Sequence, residues 1–218
     1  MRRFRALGIL CITGGTALVL FVGYLIWGTG AQAAQHQRVF ARQLAREWHL
    51  PAATPKADSA SATPVPDNIK LAVGKPFAFI RIPRFGQTWR FAVVEGTAAA
   101  QLATGPGHVT GTQLPGQVGN FAVAAHVVTA GNPFYHLKTL RAGDTVYVDT
   151  KADTYVYRVT SEEIVPATDV GVLYPVPGHP GLSPHVPVIT LITCDPAVTW
   201  TTSHRAIVFA TLQTATPR

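Results

Sequence analysis

The chain has 218 residues, of which 47% are hydrophobic and 13% charged, and its formal net charge is +7 at neutral pH. The length suits one folded domain with accessory segments, and the apolar composition excludes an intrinsically disordered chain. Between Lys70 and Arg205, ten Lys and Arg stand against eight Asp and Glu, which excludes the basic stripe of a nucleic-acid-binding domain, so we expect no nucleic-acid partner.

Residues 7–27 form an apolar run of 21 residues without a charge. A helix of this length, at ~1.5 Å per residue, crosses a hydrocarbon core of ~30 Å. Three arginines stand in residues 2–5, and the positive-inside rule then keeps residues 1–6 in the cytoplasm and exports the rest. We therefore predict a single-pass signal anchor in the cell membrane with an extracellular domain. A cleaved signal peptide is the alternative, because residues 31–33 (AQA) resemble a cleavage site, but the run exceeds the usual ~7–15 residues.

Two accessory segments follow the predicted anchor. Residues 28–50 are rich in Ala, Gln and Arg and predict a juxtamembrane helical stalk. Residues 51–68 contain four prolines among Ala, Ser and Thr, which is typical of an extended linker. The folded domain is then expected at residues 69–214, with a short tail at 215–218.

Short apolar runs broken by Gly and Pro begin at residue 69, and such a pattern is typical of β-strands and turns. The predicted strands are residues 77–82, 89–94, 120–126, 145–149, 154–160, 186–194 and 205–212. From residue 69 onward, helical patterns are limited to residues 98–102 and 133–140. Strands at such short spacing predict an all-β fold, a small closed β-barrel whose closure removes exposed strand edges.

Cys194 is the one thiol of the predicted extracellular part, because Cys11 lies in the apolar run. A buried structural cysteine is the common alternative to a reactive one. Cys194, however, ends a predicted strand and is followed by Asp195 and Pro196. If the next strand is antiparallel, Arg205 returns beside Cys194, where a guanidinium favours a thiolate or donates hydrogen bonds to an oxyanion.

The general base must come from eight histidines. Most of them lie in the stalk or in Gly- and Pro-rich or polar loops, where a solvated histidine is expected. His126 differs because it ends the predicted strand at residues 120–126, and scaffolds place catalytic groups beside such loops. A Cys–His pair on neighbouring strands supplies a nucleophile and a proton carrier for acyl transfer.

At these residues the chain resembles the sortases, membrane-anchored cysteine transpeptidases of Gram-positive bacteria. Residues 190–194 (TLITC) match the TLxTC signature of the family, Arg205 stands where its catalytic arginine follows, and residues 119–134 resemble its histidine segment. The similarity covers roughly residues 77–212. The segments most similar to class E are residues 83–86, 107–120 and 169–173.

The resemblance implies a closed eight-stranded sortase-type β-barrel with short helices. It also implies an enzyme that cleaves a C-terminal sorting signal between Thr and Gly and holds the protein as a thioester on Cys194. His126 is then the acid and base, and Arg205 the donor to the oxyanion or the substrate. The expected partners are exported proteins with sorting signals and an amine acceptor, such as lipid II of the wall precursor. Neither a metal nor a cofactor is expected for this chemistry.

The chain departs from the class E pattern directly after the histidine. The class E segment reads HRTTYG, whereas residues 126–131 read HVVTAG. In the family, that tyrosine is associated with LAxTG rather than LPxTG signals, so its replacement by Ala130 leaves the second signal position open. We expect Val127, Ala130 and Thr193 to line the substrate site.

Other functions fit the sequence less well. The chain lacks the CGSCW-type neighbourhood of papain-like proteases, and an export anchor does not suit a trypsin-like cysteine protease. An L,D-transpeptidase carries Arg two positions after its Cys, where this chain has Pro196. A catalytically altered wall-binding protein and a pilin-polymerising sortase remain as alternatives.

Overall fold

The structure, a computed structural model, describes residues 2–24, 28–49, 70–195 and 203–218. The predicted linker at residues 51–68 lies outside the described residues. Two helices come first, α1 at Arg2–Gly23 and α2 at Thr29–His49. By length and mean hydropathy, none of the helices in the described ranges qualifies as a membrane span. The predicted anchor at residues 7–27 also includes residues 25–27, which lie outside those ranges.

Eight strands and a few short helices follow within residues 70–195 and 203–218. The strands are β1 (Pro76–Arg81), β2 (Arg90–Glu95), β3 (Gly107–His108), β4 (Gly119–Ala124), β5 (Thr145–Asp149), β6 (Asp153–Pro166), β7 (Pro187–Asp195) and β8 (His204–Pro217). The helices among them are α3 (Ala99–Leu102) and the 3₁₀ helices Pro83–Phe85, Leu137–Thr139 and Val170–Leu173.

The strands close into a barrel in the order β1-β2-β3-β4-β7-β8-β6-β5. The β2–β3 and β4–β7 pairs are parallel, and the other pairs are antiparallel. The predicted closed eight-stranded barrel is thereby confirmed. Its parallel β4–β7 pair brings together two segments that lie about seventy residues apart in the chain.

Several strand boundaries differ from the sequence prediction. β3 has two residues, too few for a pattern, and is held by both of its neighbours. β4 ends at Ala124, before the histidine. β6 continues past the predicted end at residue 160 to Pro166, because it pairs with β8 as far as His204. An irregularity between Val159 and Ser161 interrupts the alternation of apolar and polar positions there. β8 continues to Pro217, past the domain end predicted at residue 214.

The barrel interior is filled from alternate positions of each strand. Phe121 and Val123 of β4, Leu191 of β7 and Val208 of β8 belong to the main buried core. Because successive side chains point to opposite faces of a strand, Cys194 lies on the other face of β7 from Leu191. The outer face of β4, β7 and β8 is therefore the surface on which the candidate catalytic residues lie.

Helix α2 packs against the barrel, whereas the sequence predicts a stalk at residues 28–50. Leu44 is buried against Phe79 and Ala92 of the barrel. Gln37 extends this contact, because its amide donates to the carbonyl oxygens of Ala92 at 3.2 Å and Thr104 at 2.9 Å and accepts from the Ala92 amide at 2.6 Å. The helix thus belongs to the folded unit of the barrel.

Candidate active site

Cys194 and Arg205 are direct partners in the ladder between β7 and β8. Side chains directly opposite each other in an antiparallel pair lie on one face with their Cβ atoms ~5 Å apart. The predicted return of Arg205 beside Cys194 is therefore confirmed. Cys194 is a free, partly exposed thiol, and one guanidinium nitrogen of Arg205 donates to the carbonyl of His204 at 2.8 Å.

His126 reaches the same end of the sheet through the parallel pairing of β4 with β7. The last pair of that ladder is Ala124 with Ile192. The contact continues past it, since the amide of Ala125 donates to the carbonyl of Ile192 at 3.1 Å and the hydroxyl of Thr193 donates to the carbonyl of Ala125 at 2.8 Å. His126 and Cys194 each follow two residues after the members of that last pair, so both lie at the same end of the β4–β7 ladder.

The environment of His126 favours a neutral imidazole. The residue is half-buried, and this burial lowers the pKa of His126 below its ordinary value because a charged ring loses hydration. Its backbone carbonyl accepts a hydrogen bond from the amide of Phe134 at 3.1 Å, which holds the start of the following loop. A neutral ring is the form that can take a proton from a thiol.

The loop after His126 turns sharply under helix α2. Ala130, Gly131 and Asn132 all have positive φ, at 54°, 80° and 49°. A side chain at Gly131 would meet Ala33 of α2 at 3.9 Å, so the helix lies directly against this turn. The helix that the sequence predicts as a stalk thus braces the loop of the candidate base.

Asp195, the residue after Cys194, forms an ion pair with Lys138. Nζ of Lys138 lies 2.5 Å from Oδ1 of Asp195. Lys138 belongs to the 3₁₀ helix Leu137–Thr139, which packs against β8. The pair ties the strand end that carries Cys194 to a different part of the barrel, and sequence reasoning did not find it.

A short segment covers the outer face beside these residues, and we call residues 169–174 the wall segment. Val172 of this segment is buried with Val165 and Ile207, and Ile192 packs against the same cluster. Val165 is paired with Arg205 across β6 and β8. The apolar cluster therefore borders the candidate catalytic residues.

The predicted substrate-site residues lie close to this centre but are largely enclosed. Thr193 is buried and its hydroxyl is used by Ala125. Val127 and Ala130 are also buried, in the loop after His126. A part in substrate binding stays a prediction for all three. Within the described ranges, no group of three His, Cys, Asp or Glu side chains is placed to hold a metal ion.

Comparison with known proteins gives the family. A family model described as a sortase domain matches residues 80–213, more than half of the chain. The chain belongs to the sortase family. The resemblance predicted from the TLITC segment is thereby confirmed.

The sortase relatives include class E members from Streptomyces. Sortase SrtE1 of Streptomyces coelicolor is 31% identical over 224 residues, covering 98% of this chain and 58% of that protein. The solved sortase E of Streptomyces avermitilis is 41% identical with a TM-score of 0.60, covering 67% of this chain and 93% of that one. The solved sortase E1 of Streptomyces coelicolor, described with a tripeptide in its active site, is 32% identical with a TM-score of 0.60, covering 68% and 94%. The chain thus spans somewhat more than half the length of SrtE1.

Proposed function

We propose that this protein is a membrane-anchored cysteine transpeptidase. It cleaves a C-terminal sorting signal of the LPxTG or LAxTG type between Thr and Gly and transfers the preceding protein to an amine. The observation that supports the proposal is a convergence at one end of the sheet. Cys194 opposes Arg205 in the β7–β8 ladder, and the β4–β7 ladder ends at Ala124 and Ile192, two residues before His126 and Cys194. A thiol, an imidazole and a guanidinium around one position are the groups that acyl transfer through a thioester requires.

In the first step, the thiol proton of Cys194 passes to the neutral His126 ring and the sulfur bonds to the carbonyl carbon of the signal threonine. Arg205 donates to the carbonyl oxygen while it carries negative charge. The C–N bond to glycine then breaks, and the His126 imidazolium gives its proton to the departing amine. The signal protein remains as a thioester on Cys194.

In the second step, an incoming amine loses a proton to His126 and attacks the thioester carbonyl. The C–S bond breaks, and the new C–N bond joins the protein to the acceptor. The thiolate of Cys194 recovers the proton from the imidazolium, which returns the enzyme to its starting state. We propose that the acceptor is the peptide-stem amine of a peptidoglycan precursor such as lipid II.

The substrate surface that we propose is the outer face between the catalytic residues and the loop before β7. That loop exposes several large apolar side chains, which are Val170, Tyr174, Leu182 and Val186. In this proposal, these side chains provide apolar contacts for the leucine at the first position of the signal. In this proposal Thr193, Val127 and Ala130 shape the site from beneath, since all three are buried.

We also propose that residues 7–27 anchor the protein in the cell membrane as a single pass, with the barrel outside the cell. The support comes from the sequence, which has 21 uncharged residues preceded by three arginines. An extracellular barrel suits the proposed reaction, because exported proteins and wall precursors meet on that side of the membrane.

The test is a transpeptidation assay with the full-length chain in detergent. The enzyme is incubated with LPxTG and LAxTG peptides and triglycine, and the products are identified by mass spectrometry. The expected result is a ligated product that joins the peptide, up to its threonine, to triglycine, together with the released glycine fragment. Absence of both products for every peptide, with the barrel folded, would contradict the proposal. The ratio between the two peptide types reports the preference at the second signal position.

A further inference from the structure

We propose that Asn120 is a positioning residue that holds the wall segment at its working distance from the catalytic residues and so sets how tightly a sorting signal binds. The inference rests on the proposed function, because it concerns the substrate surface of the same site. Asn120 lies on β4, six residues before His126. Its side chain does not take part in the chemistry.

The amide of Asn120 joins the wall segment to the barrel. Its Nδ2 donates to the backbone carbonyls of Val172 at 2.9 Å and Tyr174 at 3.0 Å. Asn120 is fully buried, and a hydrogen bond in such a place is costly to leave unmade. These two hydrogen bonds attach the backbone of the wall segment to β4.

A second buried residue orients that amide. The hydroxyl of Thr190 donates to Oδ1 of Asn120 at 2.6 Å. Because the carbonyls of Val172 and Tyr174 can only accept, the amide nitrogen must face the wall segment, and the Thr190 hydroxyl holds the oxygen on the other side. Thr190 lies on β7, four residues before Cys194. The two strands that lead to His126 and Cys194 therefore also carry Asn120 and Thr190, and we call this hydrogen-bonded pair the latch.

The backbone of Asn120 is held as firmly as its side chain. Its amide donates to Oε1 of Gln113 at 2.9 Å, and its carbonyl accepts from the Gln113 amide at 2.9 Å. Within the wall segment, Asp169 accepts from the amide of Gly171 at 2.8 Å. The side-chain amide of Asn120 therefore joins a rigid support to an internally capped segment by hydrogen bonds.

The position of the wall segment decides the shape of the neighbouring surface. Val172 belongs to the segment and packs on Val165 and Ile207. Both of these residues flank Arg205, since Val165 is its cross-strand partner and Ile207 lies on the same face of β8. A displaced wall segment would widen the strip in which the signal peptide lies, while the catalytic side chains stay in place.

The principal variant is Asn120→Asp, which keeps the oxygen that Thr190 uses and replaces the donor with a second oxygen facing two carbonyls. Three properties are measured on the full-length protein: kcat and KM with a sorting-signal peptide, deuterium uptake by residues 169–174, and alkylation of Cys194 by a small methanethiosulfonate. We expect KM to rise about tenfold, as loss of about 1.4 kcal/mol in binding implies, with kcat and alkylation within about threefold of wild type. Uptake by the wall segment should increase.

A second pair of variants keeps the proposal testable if Asn120→Asp does not fold. Thr190→Val removes the hydroxyl that orients the amide, and Thr190→Ser retains it. The valine variant should raise both KM and deuterium uptake, and the serine variant should match wild type. Equal KM values in the two Thr190 variants and the parent would overturn the proposal.

The remaining outcomes also decide between explanations. Unchanged deuterium uptake by residues 169–174 in Asn120→Asp would show that Asn120 does not hold the wall segment. Faster uptake with an unchanged KM would show that the position of the wall segment does not affect substrate binding. A parallel loss of kcat and of Cys194 alkylation would show that Asn120 supports the barrel as a whole, which overturns the proposal. If the wild-type protein cleaves no peptide, the proposed function fails, while the uptake measurement still decides the latch.

Discussion

The side chain of Thr193 donates a hydrogen bond of 2.8 Å to the backbone carbonyl of Ala125. Thr193 precedes the candidate nucleophile Cys194, and Ala125 precedes the candidate base His126. This buried hydrogen bond therefore joins the two backbone segments that carry the candidate nucleophile and base. It continues the parallel ladder after the last backbone pair, Ala124 with Ile192. Thr193 therefore has a structural part beside any contact with substrate.

Replacing Thr193 tests this connection. Thr193→Val removes the donor and leaves the Ala125 carbonyl unpaired, which costs about 1–3 kcal/mol for a buried group. We expect thioester formation in a single turnover to slow about tenfold, on the same scale of energy. Thr193→Ser retains the donor and should restore most of the rate. Equal rates in the valine and serine variants would contradict the connection.

The second prediction concerns Arg205. Arg205→Ala should lower turnover by about 10²–10³, by comparison with loss of one oxyanion donor. The control is Arg158→Ala, because Arg158 is an exposed arginine that bonds to Gly143 and Thr145 elsewhere on the barrel. Steady-state kinetics with a sorting-signal peptide make the comparison. An Arg205→Ala enzyme with the wild-type rate would remove this residue from the mechanism.

The pKa of His126 predicts how stability depends on pH. Burial lowers the pKa of His126 in the folded protein, so the unfolded chain binds a proton more readily as the pH falls below the ordinary value of ~6.5. The contribution of His126 to stability is present above that value and is lost as the pH falls through the folded pKa. The free energy of unfolding, measured in urea between pH 8 and pH 5, should therefore fall more for wild type than for His126→Gln.

The exposed His36 on α2 provides the matched control for this series. His36→Gln should follow the wild-type profile, because the ring is open to solvent. Parallel pH profiles for wild type and His126→Gln would show that burial of His126 does not contribute to acid sensitivity.

The ion pair between Lys138 and Asp195 gives a fourth prediction. Lys138→Met leaves the largely buried Asp195 carboxylate without its partner, next to Cys194. An uncompensated negative charge disfavours a thiolate, so alkylation of Cys194 by iodoacetamide at pH 7 should slow severalfold. The double variant Lys138→Met with Asp195→Asn removes both charges and should recover the rate. A double variant as slow as Lys138→Met would show that the effect is not electrostatic.

The barrel and the pair of Cys194 with Arg205 could be predicted because they depend on local patterns. Apolar runs separated by Gly and Pro mark the strands, and an antiparallel connection over a short loop sets the first residue of one strand beside the last of the other. His126 was found by its place at the end of an apolar run. The pairing of β4 with β7, which sets the residues before His126 beside those before Cys194, required the structure, since a parallel pair cannot be located from spacing alone.

Other features depend on contacts between distant parts of the chain. The sequence pattern around Asn120 predicts a strand and nothing more. The two hydrogen bonds from its side chain to the wall segment join residues more than fifty positions apart. Lys138 and Asp195 are 57 residues apart. Helix α2 carries Gln37 toward the barrel, where a polar side chain replaces a backbone partner at a strand edge. Propensity and periodicity contain no information about such partners.

The measurement that tests the central claim most directly is the intact mass of the full-length protein after brief incubation with a sorting-signal peptide and acid quenching. The wild-type protein should gain the mass of the peptide up to its threonine, and neutral hydroxylamine should release it, as expected for a thioester. Cys194→Ala should gain no mass, although its barrel folds. An adduct on Cys194→Ala, or a wild-type protein that processes the peptide with the adduct on another residue, would contradict the assignment of Cys194 as the nucleophile.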